Sequence, residues 1–155
     1  MPKIDIAALP ADSGSFYPAP FRRVVEGRKK QRLGNAAGLT QFGVNLARLE
    51  PGAASALRHW HQAEDEFIYV LDGELVLQEN EGETLLRPGD AAGFKAGVAN
   101  GHCLINRSGR DAVYLEIGTR SAHEQVDYPD ADLRLERDPG GPRYLRRSGE
   151  PYPKG

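Results

Sequence analysis

The chain has 155 residues, of which 39% are hydrophobic and 27% are charged, and this size and composition are typical of one soluble globular domain. A single cysteine excludes an internal disulfide and a cysteine-based zinc cluster. The longest clean apolar run, residues 67–71, is too short to cross a bilayer, and the N-terminus lacks the apolar core of a signal peptide. We therefore predict a cytoplasmic protein with no membrane partner.

The net charge of −2 conceals an uneven distribution along the chain. Residues 1–38 carry seven Lys or Arg against three Asp or Glu, residues 39–119 carry six against twelve, and residues 120–155 carry seven of each. The acidic middle favours cations over phosphate backbones. The basic run from Arg28 to Arg32 is short and typical of a solvated loop, so we predict no nucleic-acid partner.

The three zones also differ in pattern, which predicts an N-terminal arm over 1–38, a barrel over 39–119 and a C-terminal arm over 120–155. The arms are rich in charge and proline, and we expect them to pack on the barrel or on a partner subunit. In the middle, short apolar segments between Gly, Pro, Asn and Asp predict strands near 40–50, 55–61, 66–71, 74–79, 83–87, 91–95, 102–106 and 112–118. Eight short strands without a long helix indicate an all-β antiparallel sandwich or barrel.

The most informative segment contains His59 and His61, followed by Glu66. In a helix, residues i and i+2 point about 200° apart. In a strand they share a face, with Cα atoms about 6.5–7 Å apart, so the two imidazoles can converge on one ion. Glu66 opens the next predicted strand, and His102 lies on a later one. Three neutral imidazoles and one carboxylate suit a divalent transition metal with open coordination positions.

The spacing of these residues resembles the two sequence motifs of the cupin superfamily. The first motif stands here as Gly52-x6-His59-x-His61-x4-Glu66-x6-Gly73, one residue longer than usual before the first histidine. The second motif begins at Gly89-Asp90, keeps Gly97 and ends at His102-x3-Asn106. Lys95 stands where proline is usual, and Asn100 occupies the nominal histidine position, so we interpret the loop as carrying a two-residue insertion before His102.

The resemblance implies a cupin or jelly-roll barrel, that is, a double-stranded β-helix, with extended N- and C-terminal arms. It covers about residues 36–133 and is strongest to a group of small single-domain bacterial cupins. It implies one divalent transition metal, such as zinc, iron, manganese or nickel, a small-molecule ligand and a homodimer. The metal ligands that it implies are His59, His61, Glu66 and His102.

Residues beside the motifs give further expectations. Cys103 adjoins His102 and should face the opposite side as a packed thiol. Trp60 lies between the two histidines and should face outward, under an arm or at a dimer interface. Glu64 and Asp65 are expected to be solvated turn carboxylates.

Ligand-binding groups outside the histidine cluster are harder to assign. Tyr114 and Glu116 share one face of the last predicted strand, and the sequence leaves open whether that face points inward. His123 is expected to face solvent. The basic candidates for gripping an anionic ligand, each more often a surface residue, are Arg48, Arg87 and Lys95.

Two classes of function remain open. A metal with open positions supports isomerase, decarboxylase or dioxygenase-type chemistry on a small anionic or carbonyl-bearing metabolite. Cupins also serve as non-catalytic binding or sensor modules, and the sequence shows no clear acid or base beyond the implied ligands, so no catalytic residue is assigned. The hydrolase elbow, the phosphate-binding loop and the dinucleotide-binding glycine motif are absent.

Overall fold

The computed structural model describes residues 2–154, which form short antiparallel strands with few helical residues. The strands are β1 (Arg28–Arg32), β2 (Phe42–Leu49), β3 (Trp60–His61), β4 (Glu66–Asp72), β5 (Leu75–Glu79), β6 (Gly82–Leu86), β7 (Ala91–Phe94), β8 (Cys103–Ile105), β9 (Ala112–Thr119), β10 (Glu124–Asp127), β11 (Arg134–Asp138) and β12 (Gly141–Leu145). The helical segments are α1 (Leu33–Ala36) and two 3-10 turns, Ile6–Ala8 and Ala19–Val25. The predicted all-β class is confirmed. No helix within residues 2–154 is long and apolar enough to span a membrane.

The strands form two facing walls. One wall is a five-stranded sheet in the order β1-β2-β9-β4-β7. The other wall combines the sheets β12-β11-β10-β3 and β6-β5-β8, which are linked by a bridge between His59 and His102. This arrangement brings the two histidine segments side by side.

The eight predicted strands correspond to β2–β9, but the strand predicted over 55–61 is reduced to Trp60–His61. The backbone before Trp60 bends and pairs with the β8 segment only at isolated bridges, such as the Ser55 N–H to the Leu104 carbonyl at 2.8 Å and the bridge between His59 and His102, while its other polar groups bind side chains. The Leu57 N–H donates to the Tyr17 hydroxyl at 3.2 Å, and the Ser55 carbonyl accepts from Arg28 at 2.7 Å. Tyr17 and Arg28 of the N-terminal segment therefore provide hydrogen-bond partners for backbone groups of this turn.

The terminal segments contain four strands that the sequence analysis did not predict. β1 pairs with β2 along its whole length, and β10 pairs with β3. The interpretation of residues 28–32 as a solvated loop is wrong. Arg28 and Lys30 alternate with Lys29 and face the barrel interior, so the segment is a strand whose inner face is basic.

Two apolar clusters hold the walls together. The larger one lies between the walls and includes the fully buried Leu49, Val70 and Leu75. The second one joins the N-terminal segment to the C-terminal hairpin through Tyr17 and Tyr128, whose rings meet edge-to-face with centroids 5.8 Å apart. Burial of the second cluster, against which Leu57 also packs, holds the terminal segments against the barrel.

Candidate metal centre

Three imidazoles surround the carboxylate of Glu66. The Nε2 atom of His102 lies 2.6 Å from Oε2, and that of His61 lies 2.9 Å from Oε1. The Nε2 atom of His59 lies 3.6 Å from Oε2. Ligand atoms of His59, His61 and Glu66 lie within 4.8 Å of one another, so these three residues could hold a metal ion. His102 joins them through its contact with Glu66.

Strand geometry explains why these side chains meet. His59 and His61 are two residues apart on an extended segment and therefore share a face. Glu66 is the first residue of β4 and pairs with Phe94 of β7. The Phe94 ring stacks on the His102 imidazole with centroids 3.5 Å apart, which orients that ring toward Glu66.

In two of the rings, the hydrogen bond at Nδ1 determines which tautomer the neutral imidazole adopts. Nδ1 of His59 lies 2.7 Å from the Leu57 carbonyl oxygen, and Nδ1 of His102 lies 3.1 Å from the Asn100 carbonyl oxygen. A carbonyl only accepts, so each Nδ1 carries a proton and a neutral ring presents a lone pair at Nε2. Nε2 of each ring therefore points at Glu66, where it donates a hydrogen bond when it is protonated and offers a lone pair to a cation when the ring is neutral, so this donor set fits a divalent metal ion.

Two buried carboxylates lie beside Nδ1 of His61, which has no hydrogen-bond partner within residues 2–154. Its Nδ1 atom lies 3.5 Å from Oε2 of Glu124 and 3.8 Å from Oε1 of Glu64. A carboxylate behind a histidine is the usual support for a metal-binding imidazole, because it fixes the ring and raises its basicity. Oε1 of Glu124 accepts the backbone N–H of Gln62 at 3.1 Å and that of Ala63 at 2.9 Å, which fixes the supporting carboxylate.

The pKa values reflect the same contacts. Burial raises the pKa of Glu66, but hydrogen bonds from the three histidines outweigh it and hold that pKa well below its ordinary value. Burial lowers the pKa of His61, but the hydrogen bond to Glu66 and the charges of Glu66, Glu124 and Glu64 outweigh it and raise the pKa. The site therefore keeps its carboxylate ionised and attracts positive charge.

The cluster forms part of the wall of a cavity of about 220 Å³. Tyr114, Glu116 and Lys30 line the same cavity, which answers the question of which way the last predicted strand faces. The Lys30 ammonium group donates to Oε1 of Glu116 at 2.8 Å, and the Asn45 amide donates to the same oxygen at 3.1 Å. Burial raises the pKa of Glu116, but the charge and hydrogen bond of Lys30 outweigh it and lower the pKa.

Comparison with known proteins identifies the family of the chain. The Cupin domain family matches residues 45–118. A protein from Silicibacter pomeroyi, described as a sugar phosphate isomerase from a cupin superfamily, is 45% identical to the chain, with a TM-score of 0.94 over 97% of this chain and 96% of that one. The chain belongs to the cupin superfamily. The predicted double-stranded β-helix is thereby confirmed.

Other solved structures resemble this cupin less closely. A protein from Acidithiobacillus ferrooxidans, named as a candidate sugar phosphate isomerase, is 35% identical, with a TM-score of 0.73 over 78% of this chain and 77% of that one. A polyketide cyclase from Streptomyces resistomycificus is 18% identical, with a TM-score of 0.64 over 77% of this chain and 79% of that one, and shares the fold. No curated protein sequence matches the chain.

The basic residues that the sequence analysis considered for an anionic ligand lie outside the cavity of this cupin. Arg48 is exposed beside Asp111, and Arg87 is exposed beside Glu74. Lys95 is exposed in the turn after β7. The basic residues that do line the cavity are Arg28 and Lys30 of β1. Their i, i+2 spacing is the sequence signal that could have identified them, but it indicates a shared face only if the segment is a strand.

The prediction that Glu64 is solvated is wrong. Glu64 is 8% exposed, and its Oε2 atom accepts from the Arg137 guanidinium group at 2.5 Å and from the Ser121 N–H at 2.8 Å. Arg137 lies on strand β11, which places its side chain beside Glu64. Asp65 is exposed, but its Oδ1 atom accepts the Ala96 N–H at 2.8 Å.

The remaining neighbours behave as ordinary structural residues. Cys103 is a buried thiol 3.5 Å from the Gln78 amide oxygen, and burial raises its pKa to about 11. Trp60 is half-buried against the C-terminal segment, where it pairs with Asp127. His123 is exposed.

Proposed function

We propose that this cupin is a metal-dependent isomerase of a small phosphorylated sugar, which exchanges a carbonyl group with the hydroxyl group on the adjacent carbon. The observation that carries the proposal is the placement of the three-histidine, one-carboxylate cluster and the Lys30–Glu116 pair around one cavity. The description of the relative from Silicibacter pomeroyi supports the substrate class.

His59, His61, Glu66 and His102 would hold one divalent ion, whose identity as zinc, iron, manganese or nickel the donor set leaves open. When bound, such an ion supplies Lewis acidity, which polarises a carbonyl group and acidifies the adjacent carbon. The protein's part is to orient these ligands through Glu124, the Leu57 carbonyl and the Asn100 carbonyl.

Glu116 is the base that fits the reaction. It removes the proton from the carbon that bears the hydroxyl group and returns it to the former carbonyl carbon, while the hydroxyl proton passes to the former carbonyl oxygen. The product has the composition of the substrate, so no oxidant or reductant is required. Lys30 keeps Glu116 ionised at neutral pH and supplies a positive charge beside the developing enediolate.

Proton exchange with solvent tests this reaction. The metal-loaded protein is incubated in deuterated water with aldose and ketose phosphates of four to six carbons, and proton NMR follows interconversion and deuterium uptake. We expect both with at least one substrate, and Glu116→Gln should slow both by about 100-fold or more. His123→Ala, an exposed histidine outside the cavity, is the matched control. Binding of these substrates without exchange or turnover would support the non-catalytic alternative instead.

The terminal segments contribute side chains to the site. We propose that residues 1–38 and 120–155 act as arms that pack on the barrel of residues 39–119 and complete its site. The first arm contributes Lys30 to the cavity, and the second contributes Glu124 behind His61. A cytoplasmic location remains a prediction from the sequence.

An exposed apolar face supports the predicted homodimer. Phe67, Tyr69 and Leu71 project from the outer side of β4 with 42%, 39% and 43% exposure. On the adjacent β9, Ile117 pairs with Phe67 and Leu115 pairs with Tyr69, so the apolar surface extends across two strands. A flat apolar face of this kind is the usual centre of a two-fold interface between copies of one chain.

A further inference from the structure

Arg28 is a cation without a counterion at one end of the cavity. Its guanidinium group donates to the backbone carbonyls of Ser55 at 2.7 Å and Gly14 at 3.3 Å. No carboxylate within residues 2–154 lies within 4 Å of it, whereas Lys30 on the same strand face is neutralised by Glu116. The Asp12 carboxylate interacts with Arg28 only from beyond 4 Å and pairs with Arg32 instead. A partly buried cation whose hydrogen bonds go only to neutral carbonyls favours an anion beside it.

The Tyr114 hydroxyl is a buried polar group in the same cavity that has no hydrogen-bond partner in the described part of the chain. Tyr114 is fully buried, and within residues 2–154 no group has hydrogen-bonding geometry to its hydroxyl. The Ser55 hydroxyl, which also lines the cavity, accepts the Leu104 N–H at 2.9 Å. Burial raises the pKa of Tyr114 well above its ordinary value, so the hydroxyl keeps its proton and can donate it.

The register of the sheet separates these groups from the metal-binding cluster. Arg28 pairs with Leu49, which pairs with Ala112 of β9, whereas Glu66 pairs with Gly118 of the same strand. The six-residue offset of Arg28 corresponds to about 20 Å of strand and the four-residue offset of Tyr114 to about 13 Å, part of which the long side chains span. A ligand can therefore meet the cluster at one end and Arg28 at the other.

The charges around the cavity favour an anionic group on the ligand. The ionised side chains that line the cavity are Arg28, Lys30, Glu66 and Glu116, which sum to zero when the histidines are neutral. A divalent ion would add two positive charges. The Glu124 carboxylate behind His61 offsets one of these charges, so the cavity with its ion keeps a net positive charge, which favours an anionic group such as a phosphate monoester, with nearly two negative charges at pH 7.

We propose that Arg28 and Tyr114 form the subsite for the phosphate group of the substrate; this assignment rests on the proposed function. The fork of the guanidinium group matches two phosphate oxygens, and the Tyr114 hydroxyl donates to a third. The N-terminal arm thus supplies the residue that recognises the substrate class.

The alternative location for the phosphate group is the barrel mouth, a second cavity lined by Arg32, Arg120 and Arg137. Arg32 pairs with Asp12 at 3.1 Å, and Arg137 pairs with Glu64 at 2.5 Å. Arg120 donates to the Leu39 carbonyl oxygen at 3.0 Å and is exposed. Glu64 and Asp65 also line this mouth, so its positive charge is offset.

Calorimetric titration with glycerol 3-phosphate tests the subsite, because this probe has a phosphate monoester but no carbonyl group to isomerise. Glycerol is titrated as the phosphate-free comparison, and elemental analysis verifies equal metal content in every variant. We expect Arg28→Met to weaken binding by about 10- to 100-fold, Tyr114→Phe by about 3- to 10-fold, and Arg28→Lys by an intermediate factor. Arg120→Met should bind within about twofold of the parent.

Three results would overturn the subsite: no binding by the parent protein, parent-like binding by Arg28→Met, or a loss in Arg120→Met that matches the loss in Arg28→Met. Circular dichroism and thermal melting check that each variant folds. If Arg28→Met does not fold, parent-like binding by both Arg28→Lys and Tyr114→Phe overturns the proposal. If the protein binds the probe through Arg28 but isomerises no sugar phosphate, the subsite stands and the proposed function fails.

Discussion

Single substitutions in the metal-binding cluster test the ligand assignment. His61→Ala and Glu66→Ala should each lose stoichiometric metal, because each removes a donor atom from a group already within 4.8 Å. The barrel should still fold, since its apolar core does not include these residues. Elemental analysis of the purified variants measures the loss, with His123→Ala as a control that keeps its metal. Full metal content in both ligand variants would contradict the assignment.

The Lys30–Glu116 pair predicts a pH dependence of stability. Because the folded-state pKa of Glu116 lies below its ordinary value of 4.5, this group stabilises the fold above that pH, and its contribution is lost as pH falls through the folded pKa. The difference in unfolding free energy between the parent and Glu116→Gln should therefore shrink below about pH 4.5. Urea denaturation from pH 7 to pH 3 measures it. A difference that does not change with pH would mean that the pair does not stabilise the fold.

The tight turn between β4 and β5 makes a prediction about secondary-structure elements. Gly73 has a φ of +75°, and a Cβ atom there would lie 2.6 Å from the Asp111 carbonyl oxygen. Gly73→Ala should therefore cost more than about 2 kcal/mol, since it combines backbone strain with a clash against main chain. Gly89→Ala, with a φ of +93° and open space, is the matched control and should cost about 1 kcal/mol. Equal losses in thermal or urea unfolding would show that the clash is relieved.

The elements also show how far the sequence could be read. The His59-x-His61 spacing, Glu66 at a strand start and His102 on a later strand predicted that these residues lie near one another, and the resemblance to the cupin motifs implied the barrel. β1 and β10–β12 could not be predicted, because their residues are mostly charged and their strand character comes from pairing with distant segments. Whether a strand of this kind forms depends on tertiary contacts that local propensity does not contain.

The same limit explains the errors at the site. Glu64 looks like a turn carboxylate until Arg137, 73 residues later, folds against it. Arg28 and Lys30 look like a basic loop until β1 pairs with β2 and directs them inward. In both cases the missing information is a contact between remote parts of the chain, which periodicity within a short window cannot supply.

The whole molecule is expected to be a dimer that uses the outer face of β4. Light scattering after size exclusion should give about twice the chain mass of 17.0 kDa. Tyr69→Glu places a charge in the centre of the apolar face and should give the monomer mass. Val98→Glu, at an exposed site on a loop, is the control and should stay dimeric. A parent protein that is monomeric at all concentrations would contradict the interface.

The most direct test of the metal centre is anomalous diffraction from crystals of the metal-loaded protein. We predict one strong peak about 2.0–2.2 Å from the Nε2 atoms of the three histidines and from a carboxylate oxygen of Glu66, distances expected for zinc and similar ions. A peak among His61, Glu64 and Glu124, which form the other group of possible ligands within residues 2–154, would contradict it, as would the absence of any peak inside the barrel.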